Sequence, residues 1–190
     1  NITNKTKWFI LNSPSNPTCS TYNSDELKGL SEVLLRHPNV LILPDDIYEK
    51  IIYDDSKFST IAEVEPKLKN RTITLNGVSK AYAMTGWRIG YTAGNKEIIG
   101  AMKKIQSQST SCTCSISQSA ATAALRYSND EVIKMVSEYQ KRSDFLHSEL
   151  NKIAAFAYQK HDGSFYAFVN VEGLNNILEG ITGEFDLADY

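Results

Sequence analysis

The chain has 190 residues, of which 42% are hydrophobic and 22% are charged, values close to those of globular domains and far from those of disordered chains. Its 20 Lys and Arg residues against 22 Asp and Glu residues give a formal net charge of -2, which excludes a polycationic nucleic-acid binder. The longest apolar runs, such as residues 40–43, are far shorter than the roughly 20 residues that a membrane helix needs. We therefore expect a globular protein without a membrane span.

The cysteines indicate the redox environment. Their number is three, which is odd, and a chain of this size does not need disulfide bonds to be stable, so we expect a reducing, cytoplasmic compartment. Cys112 and Cys114 lack the two-residue spacer of a zinc site, and the three histidines stand far apart in the chain. We therefore expect no metal site.

The first part of the chain alternates between strand and helix patterns. Three short apolar runs, each ending at turn residues, predict strands over residues 8–11, 40–43 and 72–75. Between the first two, Ser24 is a candidate N-cap for a helix that carries leucines at helical spacing and ends near His37. This order predicts an α/β fold in which helices flank a mostly parallel sheet.

The later part of the chain carries one more strand pattern and three helical patterns. Residues 88–93 predict the strand, and Ile98, Met102 and Ile105 form the first helical stripe. Residues 115–127 and 129–151 predict two further helices. The stripe of the second of these helices consists of Val132, Val136, Tyr139, Leu146 and Leu150. We interpret these stripes as core packing.

A boundary between two domains is expected near the start of the last helix. Residues 165–169 follow this helix and predict a strand of a different unit. We therefore assign residues 1–130 to a larger domain. Residues 131–190 are assigned to a long connecting helix and part of a smaller domain.

Polar side chains follow each of the first three predicted strands. An amide follows the first strand, an acid and a phenol follow the second, and a hydroxyl, an amine and a guanidinium follow the third. These residues are Asn16, Asp45, Tyr48, Ser79, Lys80 and Arg88. Because the carboxyl ends of parallel strands meet at one edge of a sheet, we expect the six side chains to lie together.

An amine, a carboxylate, a phenol and an amide together suit a pyridine aldehyde. Lys80 can form a Schiff base with the aldehyde, and Asp45 can keep the ring nitrogen protonated so that the ring accepts electrons. Tyr48 and Asn16 can hydrogen-bond the ring hydroxyl oxygen. These groups predict the ring end of a pyridoxal 5'-phosphate site.

The phosphate end of the same cofactor needs a cation and hydrogen-bond donors. Arg88 supplies a permanent charge with donors that match a phosphate, and the Ser79 hydroxyl can assist it. Each residue taken alone is weak support, because an isolated Lys or Arg is usually a solvated surface residue and Asp45 also suits a turn. Only their joint order along three strands points to a cofactor site.

Three segments resemble the signatures of class I aminotransferases. Residues 77–90 are similar to the cofactor-lysine segment of that family and have the sequence GVSKAYAMTGWRIG. Residues 12–18 and 45–49 resemble its two upstream signatures, in the same order. The likeness covers nearly the whole chain and is nearest to the bacterial aspartate aminotransferase subgroup. It implies the large domain of a fold-type I pyridoxal-phosphate enzyme, followed by the start of a smaller α+β domain.

The resemblance also implies roles and a reaction. Lys80 would bind the cofactor and, once freed by substrate, move the proton of the amino acid, while Asn16 would also touch the substrate carboxylate. The implied reaction moves an amino group between L-aspartate and a 2-oxo acid such as 2-oxoglutarate. The family works as a homodimer, and residues 107–117 resemble a segment that approaches the cofactor of the partner subunit.

Two positions depart from the family pattern. Cys19 stands where family members usually carry glycine, so we expect a strained turn or a shifted Asn16 there. Cys112 and Thr113 stand where the subgroup typically has Asn-Pro, so we expect altered contacts with the partner subunit.

The chain itself looks like an internal fragment. Its first residue is not Met, and its likeness leaves out the upstream phosphate loop, the aromatic residue that stacks on the ring and the downstream arginine for the substrate carboxylate. We therefore expect this piece alone to be inactive.

Two other interpretations stay open. One is a different fold-type I enzyme, either an aminotransferase for aromatic amino acids or prephenate, or a lyase. The other is a non-catalytic α/β interaction domain in which Lys80 and Arg88 are surface charges.

Overall fold

A four-stranded sheet forms the centre of the computed structural model, which describes residues 1–54 and 56–176. The strands are β1 (Trp8–Asn12), β2 (Leu41–Asp45), β3 (Ile73–Gly77) and β4 (Gly90–Gly94), and they lie side by side in chain order. β1, β2 and β3 are parallel, whereas β4 runs antiparallel to β3. The predicted α/β class with a mostly parallel sheet is therefore confirmed.

Helices connect and flank these strands. They are α1 (Ser24–Leu35), α2 (Ile61–Val64), α3 (Lys96–Ser109), α4 (Ser115–Tyr127) and α5 (Asn129–Leu150). Short 3-10 helices cover Pro66–Arg71, Thr85–Trp87 and Glu172–Asn176. Of the helices in the described ranges, none combines the length and the apolar character needed to cross a membrane.

The N-terminus of α1 is capped one residue earlier than expected. Asn23 accepts hydrogen bonds from the backbone N–H groups of Asp25 and Glu26, and the Glu26 carboxylate accepts one from the Asn23 N–H at 2.9 Å. This reciprocal pair is a capping box, and it provides acceptors for the free backbone N–H groups of the first turn of α1. Ser24 is therefore not needed as their acceptor. The prediction of Ser24 as the cap was therefore wrong.

Two groups of buried side chains hold the fold together. The first lies between the sheet and helices α1 and α2 and consists of Leu11, Leu27, Leu34, Ile42, Ile61 and Leu68. The second, which we call the tyrosine cluster, consists of Tyr48, Ile51 and Tyr53 with Val136, Tyr139, Phe165 and Tyr166 packed against it. The tyrosine cluster directly follows the end of β2, so it borders the edge where the site residues were expected.

The apolar stripe of α3 is not part of a core in this chain. Met102 is 40% exposed and Ile105 is 71% exposed, and α3 contains no buried residue. The core prediction was wrong for α3 because no described element covers this face. It is met in part for α5, where Val132 is buried and Val136 and Tyr139 pack on the tyrosine cluster.

Residues 165–169 do not form the predicted strand. Isolated bridges lie on either side of this segment, where Ile52 pairs with Gly163 and Ala157 pairs with Asn170. A single bridge does not propagate a ladder, because the backbone of the neighbouring residues bonds elsewhere. The domain boundary expected near residue 130 stays a prediction.

Arg71 joins the end of α1 to the start of β2. Its Nη1 donates hydrogen bonds to the backbone oxygens of His37 at 3.0 Å and Val40 at 2.5 Å, and its Nη2 donates to the oxygen of Leu34 at 2.5 Å. One side chain thus donates to three carbonyl groups between the last turn of α1 and the start of β2. Two of them, those of Leu34 and His37, also accept from backbone N–H groups.

Replacing Arg71 with Met is expected to lower the free energy of unfolding by about 2–3 kcal/mol, because it removes three hydrogen bonds from a charged donor. Urea unfolding monitored by circular dichroism measures the loss. Lys69→Met removes an exposed cation from the same 3-10 helix and should cost less than about 0.5 kcal/mol. Equal losses for the two variants would contradict this role of Arg71.

Candidate active site

The carboxyl ends of the parallel strands form one edge of the sheet. Asn12, Asp45 and Leu75 occupy adjacent register positions on β1, β2 and β3. The Asn12 Nδ2 donates to the backbone oxygen of Asp45 at 3.0 Å, and the Asn12 Oδ1 accepts from the backbone N–H of Asn16 at 2.8 Å. Asn12 therefore ties the loop that carries Asn16 to the strand end that carries Asp45.

A tight turn after β2 brings Tyr48 back to this edge. The Ile47 N–H donates to the Asp45 Oδ1 at 3.4 Å, and the Asp46 N–H donates to the Leu75 oxygen at 2.9 Å. Tyr48 follows in the turn and is only 3% exposed. The predicted acid and phenol therefore leave the same strand end.

The phenol of Tyr48 is paired with another phenol. Its Oη lies 2.5 Å from the Oη of Tyr166. Burial raises the pKa of Tyr48, and the hydrogen bond with Tyr166 and the negative charge of Asp45 raise it further, whereas Asn16 acts in the opposite direction. Tyr48 is therefore a neutral phenol that can donate a hydrogen bond.

Lys80 reaches the tyrosine cluster from the end of β3. Its backbone is held in a turn by the Ala83 N–H, which donates to the Lys80 oxygen at 3.1 Å. The Lys80 Nζ lies 5.7 Å from the centroid of the Phe165 ring, a distance at which an ammonium is attracted to the ring face. Phe165 in turn contacts the Tyr48 ring edge-on, with centroids 5.6 Å apart. Lys80 and Tyr48 thus share one aromatic neighbour.

Arg88 bonds its own turn. It ends the 3-10 helix Thr85–Trp87 in the left-handed region, with φ 51°, and its Nη1 donates to the Thr85 oxygen at 2.9 Å. The guanidinium is exposed and, within the described ranges, makes no hydrogen bond to Ser79 or Lys80. The structure therefore brings together Asn16, Asp45, Tyr48 and Lys80 but does not join Arg88 to Ser79.

Cys19 adopts the backbone conformation expected of the glycine that it replaces. Its φ is 59°, in the left-handed region, which costs a residue with a Cβ roughly 1–2 kcal/mol. The side chain is 1% exposed, and its Sγ lies 3.2 Å from both the N and the O of Tyr166. Burial raises the pKa of the Cys19 thiol. The expectation of a strained turn is confirmed, and the thiol forms two contacts there.

Three residues of this site were missed from the sequence. Asn12 lies among turn residues that showed no individual role, and Phe165 and Tyr166 were assigned to a strand of another unit. Tyr166 is 118 residues from Tyr48 in the chain, so no local pattern indicates their contact. The one signal that could have helped was Cys19, which stands where the resembling family usually has glycine. It indicated an unusual loop but not the contact of that loop with Tyr166.

The gathered side chains fit the ring end of the predicted cofactor. Asp45 supplies a carboxylate, Tyr48 a neutral phenol, Asn16 an amide and Lys80 an amine beside an apolar ring. A pyridine aldehyde needs this combination of groups. Among residues 1–54 and 56–176, no cluster of three or more His, Cys, Asp or Glu could hold a metal ion.

Comparisons with known proteins agree on one family. The profile described as aminotransferase class I and II matches residues 1–182. The probable aspartate/prephenate aminotransferase of Rickettsia typhi is 53% identical over 171 residues, which make up 90% of this chain and 43% of that protein.

Solved structures give the same result. The crystal structure of the aspartate aminotransferase from Rhizobium meliloti has 50% identity and a TM-score of 0.89, with 91% of this chain and 43% of that chain covered. The aromatic aminotransferase from Pyrococcus horikoshii has 36% identity and a TM-score of 0.84, with 88% and 45% covered. The chain spans less than half the length of these relatives and shares their α/β fold.

Asp46 is a buried carboxyl group beside the candidate site. Burial is the main reason that its pKa is raised to about 7, the negative charges of Glu49 and Asp45 add to the effect, and the Thr60 hydroxyl opposes it. An unfolded Asp has a pKa near 3.9, so between about pH 4 and 7 the folded protein holds a proton that the unfolded chain has released. The stability of the fold therefore falls as the pH rises through this range.

Asp46→Asn is expected to remove this loss, because the amide needs no proton to stay neutral. The free energy of unfolding of the variant relative to the wild type should rise between pH 5 and pH 8 by about 2–3 kcal/mol. Urea unfolding at several pH values measures the difference, with the exposed Glu63→Gln as the control. A difference that does not change with pH would contradict the assignment.

Proposed function

Because the chain belongs to the aminotransferase class I and II family, we propose that its residues serve the transfer of an amino group between an amino acid and a 2-oxo acid. One observation carries the proposal: Lys80 and Tyr48 meet at the Phe165 ring, next to the strand end that holds Asp45. We further propose L-aspartate and 2-oxoglutarate as the substrates. The name of the Rhizobium meliloti relative, aspartate aminotransferase, supports the first of these.

The proposed cofactor is pyridoxal 5'-phosphate, bound to Lys80. When bound, its ring accepts the electrons left on the amino acid after a proton is removed. The Asp45 carboxylate would face the ring nitrogen and keep it protonated. The neutral phenol of Tyr48 and the amide of Asn16 would donate to the ring oxygen, and Asn16 would also contact the substrate carboxylate.

Lys80 is proposed to carry the proton. Once released by the incoming amino acid, its amine could take a proton from the alpha carbon of the amino acid and pass it to the aldehyde carbon of the cofactor. The half-buried position against Phe165 supports this role, because an apolar neighbour limits the access of water to the amine.

Ser79 and Arg88 are proposed to bind the phosphate. Arg88 is exposed and held by one side-chain hydrogen bond to Thr85, so its guanidinium can turn toward a bound phosphate at small cost. Ser79 is half-buried and directly precedes Lys80, which keeps its hydroxyl near the amine.

A homodimer in the cytoplasm is part of the proposal. Residues 107–117 comprise the end of α3, the connection after it and the start of α4, and they would approach the site of the partner subunit. Exposed apolar side chains at this segment support a buried interface, since Ile105 is 71% and Ile116 is 69% exposed. The three cysteines are free, which agrees with a reducing compartment.

A second candidate keeps the cofactor and changes the substrate. The Rickettsia typhi relative is named for both aspartate and prephenate, and the Pyrococcus horikoshii structure is an aromatic aminotransferase. A panel of aspartate, phenylalanine and tyrosine as amino donors, with 2-oxoglutarate and prephenate as acceptors, distinguishes these substrates. The panel requires a polypeptide of the relatives' length that carries these residues.

Lys80 is expected to be the residue that binds the cofactor. Pyridoxal 5'-phosphate added to such a polypeptide and reduced with borohydride should label the peptide that contains Lys80, as measured by mass spectrometry. Lys80→Ala should lose the label and the amino transfer while the circular dichroism spectrum is unchanged. The exposed Lys67→Ala serves as the control. An unlabelled Lys80 would favour a non-catalytic interaction domain.

Asp45→Asn is expected to lower kcat by about 100-fold or more, because the ring nitrogen loses the charge that keeps it protonated. Initial rates with aspartate and 2-oxoglutarate measure the loss. The neighbouring Asp46→Asn is the matched control and should keep most of the activity. Similar rates for wild type and Asp45→Asn would mean that another group holds the ring nitrogen.

A further inference from the structure

The phenol of Tyr48 contacts the phenol of Tyr166, which has no role in the proposed chemistry. The Oη atoms of Tyr48 and Tyr166 are 2.5 Å apart, and the two rings meet edge-on with centroids 5.8 Å apart. In such a pair only one hydroxyl donates to the other. If Tyr166 is the donor, the hydrogen of Tyr48 stays free for another acceptor.

The segment that carries Tyr166, residues 162–166, is fixed by backbone contacts. The Tyr53 N–H donates to the Asp162 oxygen at 2.8 Å, and the Ser164 N–H donates to the Ile51 oxygen at 2.9 Å. The Tyr53 hydroxyl also donates to the Ser164 oxygen. At Gly163 a Cβ would lie 2.6 Å from the Ile51 oxygen, so this close approach requires glycine.

The Cys19 thiol completes this attachment. Its Sγ accepts from the Tyr166 N–H and donates to the Tyr166 oxygen, with the sulfur 3.2 Å from each atom. The Cys19 N–H donates to the Ser15 oxygen at 2.9 Å, which closes the loop that also carries Asn16. One loop thus contributes an amide to the site and holds the backbone of Tyr166.

We propose that Tyr166 is a positioning residue for Tyr48 and that the Cys19 thiol keeps Tyr166 in place. With the cofactor bound, Tyr166 would donate to the Tyr48 oxygen, which directs the Tyr48 hydrogen toward the ring oxygen of the cofactor and makes it a stronger donor. This inference rests on the proposed function, since it assigns an acceptor to Tyr48.

The inference has a spectroscopic consequence. A donor at the ring oxygen would stabilise the negative charge on that oxygen when the Lys80 nitrogen, bound to the cofactor, has lost its proton. Such a donor would therefore lower the pH midpoint of the cofactor's absorbance change. Weakening that donor raises the midpoint. A residue with a merely structural role would not move it.

The test measures this midpoint in a cofactor-loaded polypeptide of the relatives' length. Tyr166→Phe removes one hydroxyl, keeps the ring and should raise the midpoint by about half a pH unit, less than Tyr48→Phe does. Tyr139→Phe is the matched control, because Tyr139 packs against Phe165 in the same cluster and should leave the midpoint unchanged. Cys19→Ala should raise the midpoint, and Cys19→Ser should restore it, because a hydroxyl keeps a donor and an acceptor.

The outcomes separate the two proposals. A wild-type protein without a cofactor absorbance at Lys80 would overturn the proposed function and this inference with it. A normal wild-type titration with an unchanged midpoint in Tyr166→Phe would overturn the inference alone. If Cys19→Ala does not fold, the midpoints of Cys19→Ser and Tyr166→Phe still test the inference. An unchanged midpoint in Tyr166→Phe contradicts it in either case.

Discussion

Parallel pairing of β1, β2 and β3 is the constraint on which the candidate site depends. Because the three strands run in one direction, the residues that follow them emerge at one edge, and the register sets Asn12 beside Asp45. The side chain of Asn12 then bonds both the end of β2 and the loop of Asn16. A shift of one residue in this register would turn these side chains to the opposite face of the sheet.

Aromatic packing provides the second level of organisation. Phe165 contacts the Lys80 ammonium and the Tyr48 ring, so a segment far along the chain joins two strand ends. Burial keeps Tyr48 neutral, while the proposed role of Asp45 requires a charge. The site thus places a neutral phenol, which can donate a hydrogen bond, next to the carboxyl group of Asp45.

Two of the strained backbone positions lie in the loops next to this edge. Cys19 and Arg88 both adopt the left-handed region without being glycine. At Cys19 the two sulfur contacts with Tyr166 offset the cost, so the strained loop is tied to the segment it supports. At Arg88 the strain accompanies an exposed guanidinium that bonds only its own turn among the described contacts. The apolar face of α3 is not covered by any element in the described part of this chain.

The local patterns of the chain were enough to predict the strands, most helices and the residues that carry chemistry, because periodicity and turn residues act over a few positions. The special backbone at Cys19 was located by the resemblance to class I aminotransferases, which usually carry glycine there, and a left-handed turn favours glycine. The cap at Asn23 depended on a choice between two adjacent residues, which the contact with Glu26 decided. The exposure of Ile105 followed from the lack of a covering element in the described part of the chain. The absence of a strand at residues 165–169 depended on partners elsewhere in the fold, such as Cys19. The contacts of Tyr166 with Tyr48 and Cys19 join residues more than a hundred positions apart, and such contacts are set by packing in three dimensions.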